Sequence, residues 1–273
     1  MRLGITLPIA DPDGGPLRPT GIAEGARRLV GHGFESLWAF DAISRGFILP
    51  DPLIAVSIAA TVTDAVEVGT CILQVPLRRP VELAHRVATA HLVAGDRLLL
   101  GVGAGSTEAD FRAVGVDYGT RFQALADGLR TMRDLWGGAQ VGDARLSPWP
   151  ATVGGPKILI GSWAGGVWIK RAAREYDGWI ASAAKTSFTR LAEGISRFRE
   201  LGGRRAVVTN IEVDLSAPAG PYDDDGPFHL RCPADEASER LGRLAGLGFD
   251  DAVLFAVDQR EPTLRALREL TTR

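Results

Sequence analysis

Short apolar stretches alternate with amphipathic stretches along the whole chain, and this alternation limits the possible folds more than any other feature. The stretch Ala65–Leu73 is rich in β-branched residues, which is typical of a strand. Thr20–Gly33 has apolar residues at the spacing of one helical face and ends on a glycine. Asp51 and Pro52 have the order of a helix N-cap followed by the first helical residue. We predict further strands at Arg2–Leu7, Ser36–Phe40, Arg97–Val102, Lys157–Ile160, Gly178–Ala181, Ala206–Val213 and Ala252–Val257.

The predicted helices separate these strands. They are expected at Pro80–Ala94, after the turn that follows Val102 up to about Trp136, at Gly165–Tyr176, Ser187–Leu201 and Pro233–Leu247, and from Pro262 onward. Parallel strands joined by right-handed helical crossovers form a sheet that is buried on both faces. Roughly eight such units in about 250 residues are the size of a closed (β/α)₈ TIM barrel. We therefore predict an α/β fold, a single-domain barrel over residues 1–273, with an open doubly wound sheet as the alternative.

Composition excludes several functional classes. The chain has 31 Lys and Arg against 33 Asp and Glu, a formal charge of -2, so no basic excess favours nucleic acid or anionic lipid. The apolar stretch Leu53–Val62 is about half as long as a membrane span requires. The opening Met1–Ala10 lacks a signal-peptide layout. Cys71 and Cys232 have no metal-ligand spacing and form no disulfide framework, so we expect a cytoplasmic protein without a metal site.

Two glycine-rich turns follow neighbouring predicted strands. Gly101–Ser106 comes after the fourth strand and Gly161–Gly166 after the fifth, and each leads into a helix. Glycine lets the backbone approach a ligand closely, and free N–H groups at a helix start favour an anion. We interpret the two turns as halves of one phosphate site, with independent tight turns as the alternative. On this view Gly105→Val is expected to block binding with little loss of fold.

Few residues offer other chemistry. The four histidines lack metal-ligand spacing, and no serine or cysteine has the local signature of a catalytic nucleophile. Asp41 follows the second strand, where a barrel places catalytic groups, although it could equally cap the next turn. The connections Gly137–Pro156 and Asp214–Arg231 are long, and the second carries the acidic run 223–225. We interpret that run as a solvated loop tip in preference to a metal site.

Several stretches together resemble the bacterial luciferase-like monooxygenase superfamily, in particular its branch that depends on the deazaflavin coenzyme F420. They follow the order of that superfamily over most of residues 1–182. The stretches are Gly33–Trp38, Val68–Leu73, Pro76–Pro80, Gly95–Gly105, Ile158–Ser162 and Ala172–Trp179.

The resemblance implies a TIM barrel that holds a flavin or deazaflavin at the carboxyl ends of its strands. It also implies a homodimer and a small-molecule substrate. A non-prolyl cis peptide is expected at the end of the third strand, by position Cys71–Ile72, where it supports the middle ring of the cofactor. The family binds the cofactor phosphate at the turns after the fourth and fifth strands, by position Gly103, Ala104, Gly105, Ser106, Gly161, Ser162, Ala164 and Gly165, and we add Asp41 as a candidate cofactor contact.

The chain departs from the family at two positions. Many deazaflavin relatives have Asp-His after the second strand, where this chain has Asp41 and Ala42. Several have a glutamate in the turn after the fourth strand, where Ser106 stands, and Glu108 lies slightly farther along. The candidate catalytic groups are therefore Asp41 and Glu108, with water or a group on the 214–231 connection as alternatives for the proton source.

From this resemblance we predict an oxidoreductase that moves a hydride between coenzyme F420 and a small organic substrate. The alternatives are an FMN-dependent monooxygenase and a flavin-binding protein without turnover. Three observations favour the deazaflavin. The chain is shorter than many relatives, which suggests a reduced lid, and alanine stands at position 42 in place of the histidine. Only three of the 31 cations are lysines, an arginine bias typical of high-GC actinobacteria.

Overall fold

The computed structural model describes residues 1–163 and 165–271 of the chain. The strands are β1 (Arg2–Thr6), β2 (Ser36–Ala39), β3 (Glu67–Thr70), β4 (Leu73–Gln74), β5 (Leu98–Gly103), β6 (Gln140–Val141), β7 (Ala144–Arg145), β8 (Lys157–Gly161), β9 (Gly178–Ser182), β10 (Arg205–Asp214), β11 (His229–Arg231) and β12 (Asp251–Phe255). The helices are α1 (Gly21–Gly31), α2 (Pro52–Val62), α3 (Pro80–Ala94), α4 (Glu108–Val114), α5 (Arg121–Trp136), α6 (Val167–Glu175), α7 (Phe188–Glu200), α8 (Ala234–Gly246) and α9 (Glu261–Glu269).

The chain forms two compact units, and the first contains Met1–Trp38 and Leu159–Arg273. Within it the strands lie in the order β8-β9-β10-β12-β1-β2, and every neighbouring pair is parallel. The short strand β11 adds to the carboxyl end of β10. Trp179 is fully buried, and its ring packs against Phe198 and Phe249 with centroids 5.7 Å apart in both pairs. The apolar strands are thus covered by the helices that follow them, as parallel sheets require.

The second unit contains Ala39–Ile158. Its strand β5 is buried along its whole length and pairs in parallel with β3 and β4. Helix α3 packs between α2 and α5, and the indole nitrogen of the buried Trp136 donates to the carbonyl of Ala84 on α3 at 2.9 Å. This bond satisfies the polar group that a buried tryptophan brings into the core.

Most predicted elements are confirmed to within two residues. Asp51 caps α2 as expected, since its side chain accepts from the backbone N–H groups of Leu53 and Ile54. One helix prediction was wrong: the stretch after β5 forms two helices, α4 and α5, because Gly115 adopts φ +70 and ends the first of them. The hairpin β6–β7 inside the 137–156 connection was not predicted from the sequence.

A buried histidine in the second unit makes stability depend on pH. His91 in the last turn of α3 is 5% exposed, and its Nδ1 has no hydrogen-bond partner within the described residues. Burial lowers the pKa of His91 below the ordinary value of 6.5, and the nearby Asp96 only partly opposes this. Protonation therefore costs more in the folded chain than in the unfolded one.

We expect the free energy of unfolding to be highest above pH 6.5 and to fall as the pH decreases below that value. Urea unfolding of the wild type and of His91→Leu at pH 8.0 and 5.5 measures this. The substitution should flatten the difference between the two pH values, and an unchanged difference would assign the pH dependence to other groups.

Candidate functional site

A buried ion pair lies directly after β2. The side chain of Asp41 is 2% exposed, and its two carboxylate oxygens accept from Arg78 Nη1 at 2.6 Å and Nη2 at 2.9 Å. The backbone N–H of Gln74 also donates to Asp41, at 2.7 Å. Paired donors in this fork geometry make a strong and directional interaction. Both carboxylate oxygens of Asp41 thus accept hydrogen bonds, and this geometry suits a group that fixes the positions of Arg78 and Gln74. The catalytic role of Asp41 stays a prediction.

The peptide bond between Cys71 and Ile72 is cis, as predicted from the resemblance. It lies between β3 and β4, and the N–H of Cys71 donates to the carbonyl of Ala39 at 2.9 Å. Burial raises the pKa of the Cys71 thiol, which favours its neutral form. The expected contact of Cys71 and Ile72 with a cofactor ring stays a prediction.

Asp110 on α4 is a second buried carboxylate next to this pair, with a fully buried side chain. It accepts from the N–H of Ser44, from Arg45 Nε and Nη2, and from Gln74 Nε2, at 3.1 to 3.3 Å. Burial by itself raises the pKa of Asp110, but the hydrogen bonds from Arg45, Gln74 and Ser44 outweigh it and leave the pKa below its ordinary value. Three separate segments of the second unit therefore meet at one charged group.

In the turn after β5, the structure requires glycine at position 105 for its backbone conformation and its packing, whereas the sequence suggested the close approach of a ligand. Gly105 has φ +79, and a side chain there would collide with the amide oxygen of Gln74 and with the ring of Phe111. The space beside Gly105 is thus filled by the protein itself. The expectation that Gly105→Val would leave the fold intact is wrong, because both backbone conformation and packing require glycine at this position. The predicted ligand contacts of Gly103 and Ala104 stay untested, and both residues are buried.

Two other residues predicted near this turn lie at the surface. Ser106 is exposed, and its carbonyl accepts from the hydroxyl of Tyr118 at 3.2 Å. Glu108 is exposed and pairs with Arg112 one turn along α4 at 3.1 Å. An exposed pair of this spacing contributes little to stability. The catalytic role suggested for Glu108 stays a prediction.

The second glycine turn lies in the first unit and follows β8. Ser162 donates its N–H to the carbonyl of Ile180, while its own carbonyl accepts from the indole nitrogen of Trp179 at 3.0 Å. The hydroxyl oxygen of Ser162 is buried and has no hydrogen-bond partner among the residues that the structure describes. Gly165 has open space where a side chain would stand. The predicted contact at Ala164 lies outside the described residues, and that of Gly161 stays a prediction.

The connection after β10, residues 214–231, forms hydrogen bonds with helices of the first unit. Arg243 Nη2 of α8 donates to both carboxylate oxygens of Asp224, at 2.7 and 2.9 Å. The hydroxyl of Thr189 on α7 donates to Asp225 at 3.2 Å. The N–H of Phe228 donates to the carbonyls of Ala183 and Thr186. Asp223 accepts from the backbone of Asp225. Each carboxylate of the acidic run thus has a partner of its own. Within the described residues, no group of three or more His, Cys, Asp and Glu could hold a metal ion.

Sequence reasoning missed four polar residues of the second unit: Arg45, Gln74, Arg78 and Asp110. Arg78 lies within Pro76–Pro80, a stretch that carried the family resemblance, and this signal could have drawn attention to it. Asp110 gave no such signal, because an aspartate in the first turn of a helix usually faces solvent and stabilises the helix dipole. Only the folded chain shows that it is buried.

Comparison with known proteins gives the family. The family model described as "Luciferase-like monooxygenase" matches residues 1–222. The chain belongs to the luciferase-like monooxygenase family. Among solved structures, this chain is similar to monooxygenase RslO1 from Streptomyces bottropensis, with a TM-score of 0.78 and 16% sequence identity. The match covers 100% of this chain and 99% of the other chain. This likeness confirms the predicted TIM-barrel fold.

Two curated relatives differ in the reaction that their names describe. The 4-hydroxyprotoasukamycin monooxygenase of Streptomyces nodosus subsp. asukaensis is 28% identical over 54% of this chain and 45% of its own length. The F420-dependent glucose-6-phosphate dehydrogenase of Amycolatopsis mediterranei is 28% identical over 61% of this chain and 54% of its own length. The chain spans about half the length of these relatives. Within residues 1–163 and 165–271, no helix has both the length and the apolarity needed to cross a membrane.

Proposed function

We propose that the protein is an oxidoreductase that binds coenzyme F420 and transfers a hydride between it and a small organic substrate. The cofactor supplies the hydride chemistry, and the protein supplies binding, orientation and electrostatics. The resemblance to the F420-dependent branch and the similarity to a relative named for F420 dependence support this choice. The expected homodimer and the cytoplasmic location stay predictions.

The observation that carries the proposal is the hydroxyl of Ser162. A buried polar atom without a partner costs free energy, and in native proteins such an atom usually has a reason to be there. Ser162 follows β8, at the carboxyl end of a strand, where barrel enzymes bind their ligands. An anionic or carbonyl oxygen of a bound cofactor would satisfy this hydroxyl. This one hydroxyl supports a bound cofactor with such an oxygen at the carboxyl end of β8.

The polar cluster of the second unit supplies a rigid support after β2 and β3. Asp41, Arg78 and Gln74 fix the chain directly after the cis peptide, and a catalytic site requires such support because small displacements of its groups reduce the rate strongly. We propose that Asp41 acts through this support. Glu108, water and the 214–231 connection remain candidates for the proton source.

An FMN-dependent monooxygenase is the second candidate function. The relative named as a 4-hydroxyprotoasukamycin monooxygenase favours it, since its identity to this chain equals that of the F420-dependent relative. Such an enzyme uses reduced flavin and oxygen. The two candidates differ in the cofactor that they bind, so a binding measurement separates them.

We expect the purified protein to bind coenzyme F420 at least tenfold more tightly than FMN, a difference of about 1.4 kcal/mol. Parallel fluorescence titrations measure both dissociation constants. Ser162→Ala should weaken binding of the preferred cofactor several-fold, whereas Ser196→Ala, a change at an exposed serine of α7 whose hydroxyl donates to Glu200, should not. Equal or tighter binding of FMN would favour the monooxygenase, and binding of neither would refute both functions.

A further inference from the structure

The segment that follows Asp41 has no regular structure of its own. Residues 42–50 form neither helix nor strand, yet they lie at the carboxyl end of β2, where barrel enzymes carry binding and catalytic groups. A segment without internal ladders of hydrogen bonds depends on side-chain and backbone contacts for a defined position. The contacts that hold this one therefore decide what it can do.

Asp110 provides several of those contacts. Its buried carboxylate accepts from the backbone N–H of Ser44 at 3.2 Å and from the guanidinium of Arg45 at 3.1 and 3.3 Å. Arg45 Nη2 also donates to the hydroxyl of Thr107 at 2.8 Å, directly after the glycine turn. The side chain of Arg45 is 39% exposed, whereas that of Asp110 is fully buried. The exposed end of the pair can thus detach, while the buried end stays in place.

Gln74 connects the same carboxylate to the rest of the cluster. Its side-chain amide donates to Asp110 at 3.2 Å and to the carbonyl of Asp41 at 3.0 Å. Its amide oxygen lies against Gly105, where no side chain would fit. One carboxylate thereby fixes the relative positions of the segment 42–50, the chain after the cis peptide and the turn after β5.

We propose that Asp110 is a positioning residue for the cofactor site, which acts through Arg45 and Gln74 and holds the segment 42–50 against the turn after β5. This role rests on the proposed function. Asp110 itself does not contact the cofactor. Removing its charge takes away an acceptor for Arg45 and Gln74 together, so both the segment and the turn lose their fixed positions at once.

Trypsin reports the position of the segment without any cofactor. It cleaves after Arg45, and this requires the guanidinium to leave Asp110 and the segment to open. In Asp110→Asn we expect cleavage between Arg45 and Gly46, identified by mass spectrometry, to be at least tenfold faster than in the wild type. Arg112→Gln, a change at an exposed site on the same helix, should leave the rate at Arg45 unchanged. Equal rates in the wild type and Asp110→Asn would overturn the proposal.

Cofactor titration tests whether the held segment matters for binding. Arg45→Gln leaves the buried Asp110 with the N–H of Ser44 and the amide of Gln74 as donors but without its cation, so we expect a lower melting temperature and measure binding where the variant remains folded. We expect its affinity for F420 or FMN, whichever the wild type binds, to fall at least tenfold, and Arg45→Lys to recover part of the loss. A purely structural pair would lower the melting temperature and leave the affinity unchanged, which would overturn the proposal.

The two experiments, trypsin cleavage and cofactor titration, also distinguish a failure of this inference from a failure of the proposed function. A wild type that binds a cofactor while Arg45→Gln binds it equally well refutes the positioning role alone. A wild type that binds neither F420 nor FMN refutes the proposed function and, with it, this role. Bound cofactor should further slow the cleavage of the wild type after Arg45, and a rate unaffected by saturating cofactor counts against the proposal.

Discussion

Arg78→Met is expected to destabilise the protein by about 3–5 kcal/mol, because it leaves the buried carboxylate of Asp41 without its cationic partner. The side chain of Asp41 is 2% exposed and that of Arg78 is 10% exposed, so water cannot replace the lost donors easily. Urea unfolding followed by far-UV circular dichroism measures the change. An exposed pair provides the control: Arg112→Met removes the partner of Glu108 and should cost about 0–1 kcal/mol.

A double-mutant cycle shows whether the cost comes from the unpaired charge. Asp41→Asn combined with Arg78→Met should be less destabilised than the sum of the single variants, since no buried charge is left alone. Additive effects would mean that the two side chains do not depend on each other. The same Asp41→Asn variant, if it retains its stability but loses ~10²-fold or more in single-turnover cofactor oxidation, would assign Asp41 a direct part in catalysis.

Gly105→Ala is expected to lower the free energy of unfolding by on the order of 3 kcal/mol, because two costs add. A residue with a side chain is strained at φ +79 by roughly 1–2 kcal/mol. The added methyl group would also press on Gln74 and on the ring of Phe111, with 3.0 Å to Phe111 Cε2, and overpacking costs typically about 1–3 kcal/mol.

Gly115→Ala is the matched control for this prediction. Gly115 has φ +70 but no atoms within 4 Å of the position of a side chain, so its substitution carries the backbone cost alone. Chemical denaturation of both variants therefore isolates the steric part at Gly105. Equal losses would show that Gln74 and Phe111 move aside without cost. A larger loss at Gly105 would mean that cofactor binding is better tested by Ser162→Ala than at this glycine.

Much of the architecture could be predicted from the sequence because it depends on local patterns. The amphipathic helix α1 and the Asp51 cap with Pro52 depend on residues a few positions apart, whereas the single strand predicted at Ala65–Leu73 is divided into β3 and β4 at the cis peptide. The break between α4 and α5 was missed because Gly115 looks like a tolerated helical glycine until its positive φ is known. The position of the cis peptide came from the family resemblance, since no local pattern at Cys71–Ile72 indicates it.

The sequence by itself determined the alternation of strands and helices, the family and the two glycine-rich turns that follow predicted strands. The tertiary structure alone decided what the polar residues do. Asp41 and Arg78 are 37 positions apart, and Gln74 and Asp110 are 36 apart, so no spacing rule connects them. Their pairing follows from the fold of the second unit, which brings distant segments of Ala39–Ile158 to a shared buried region where a charge is stable only beside a partner. That is why the sequence left Asp41 as either a catalytic group or a cap of the next turn, whereas the folded chain shows it paired with Arg78.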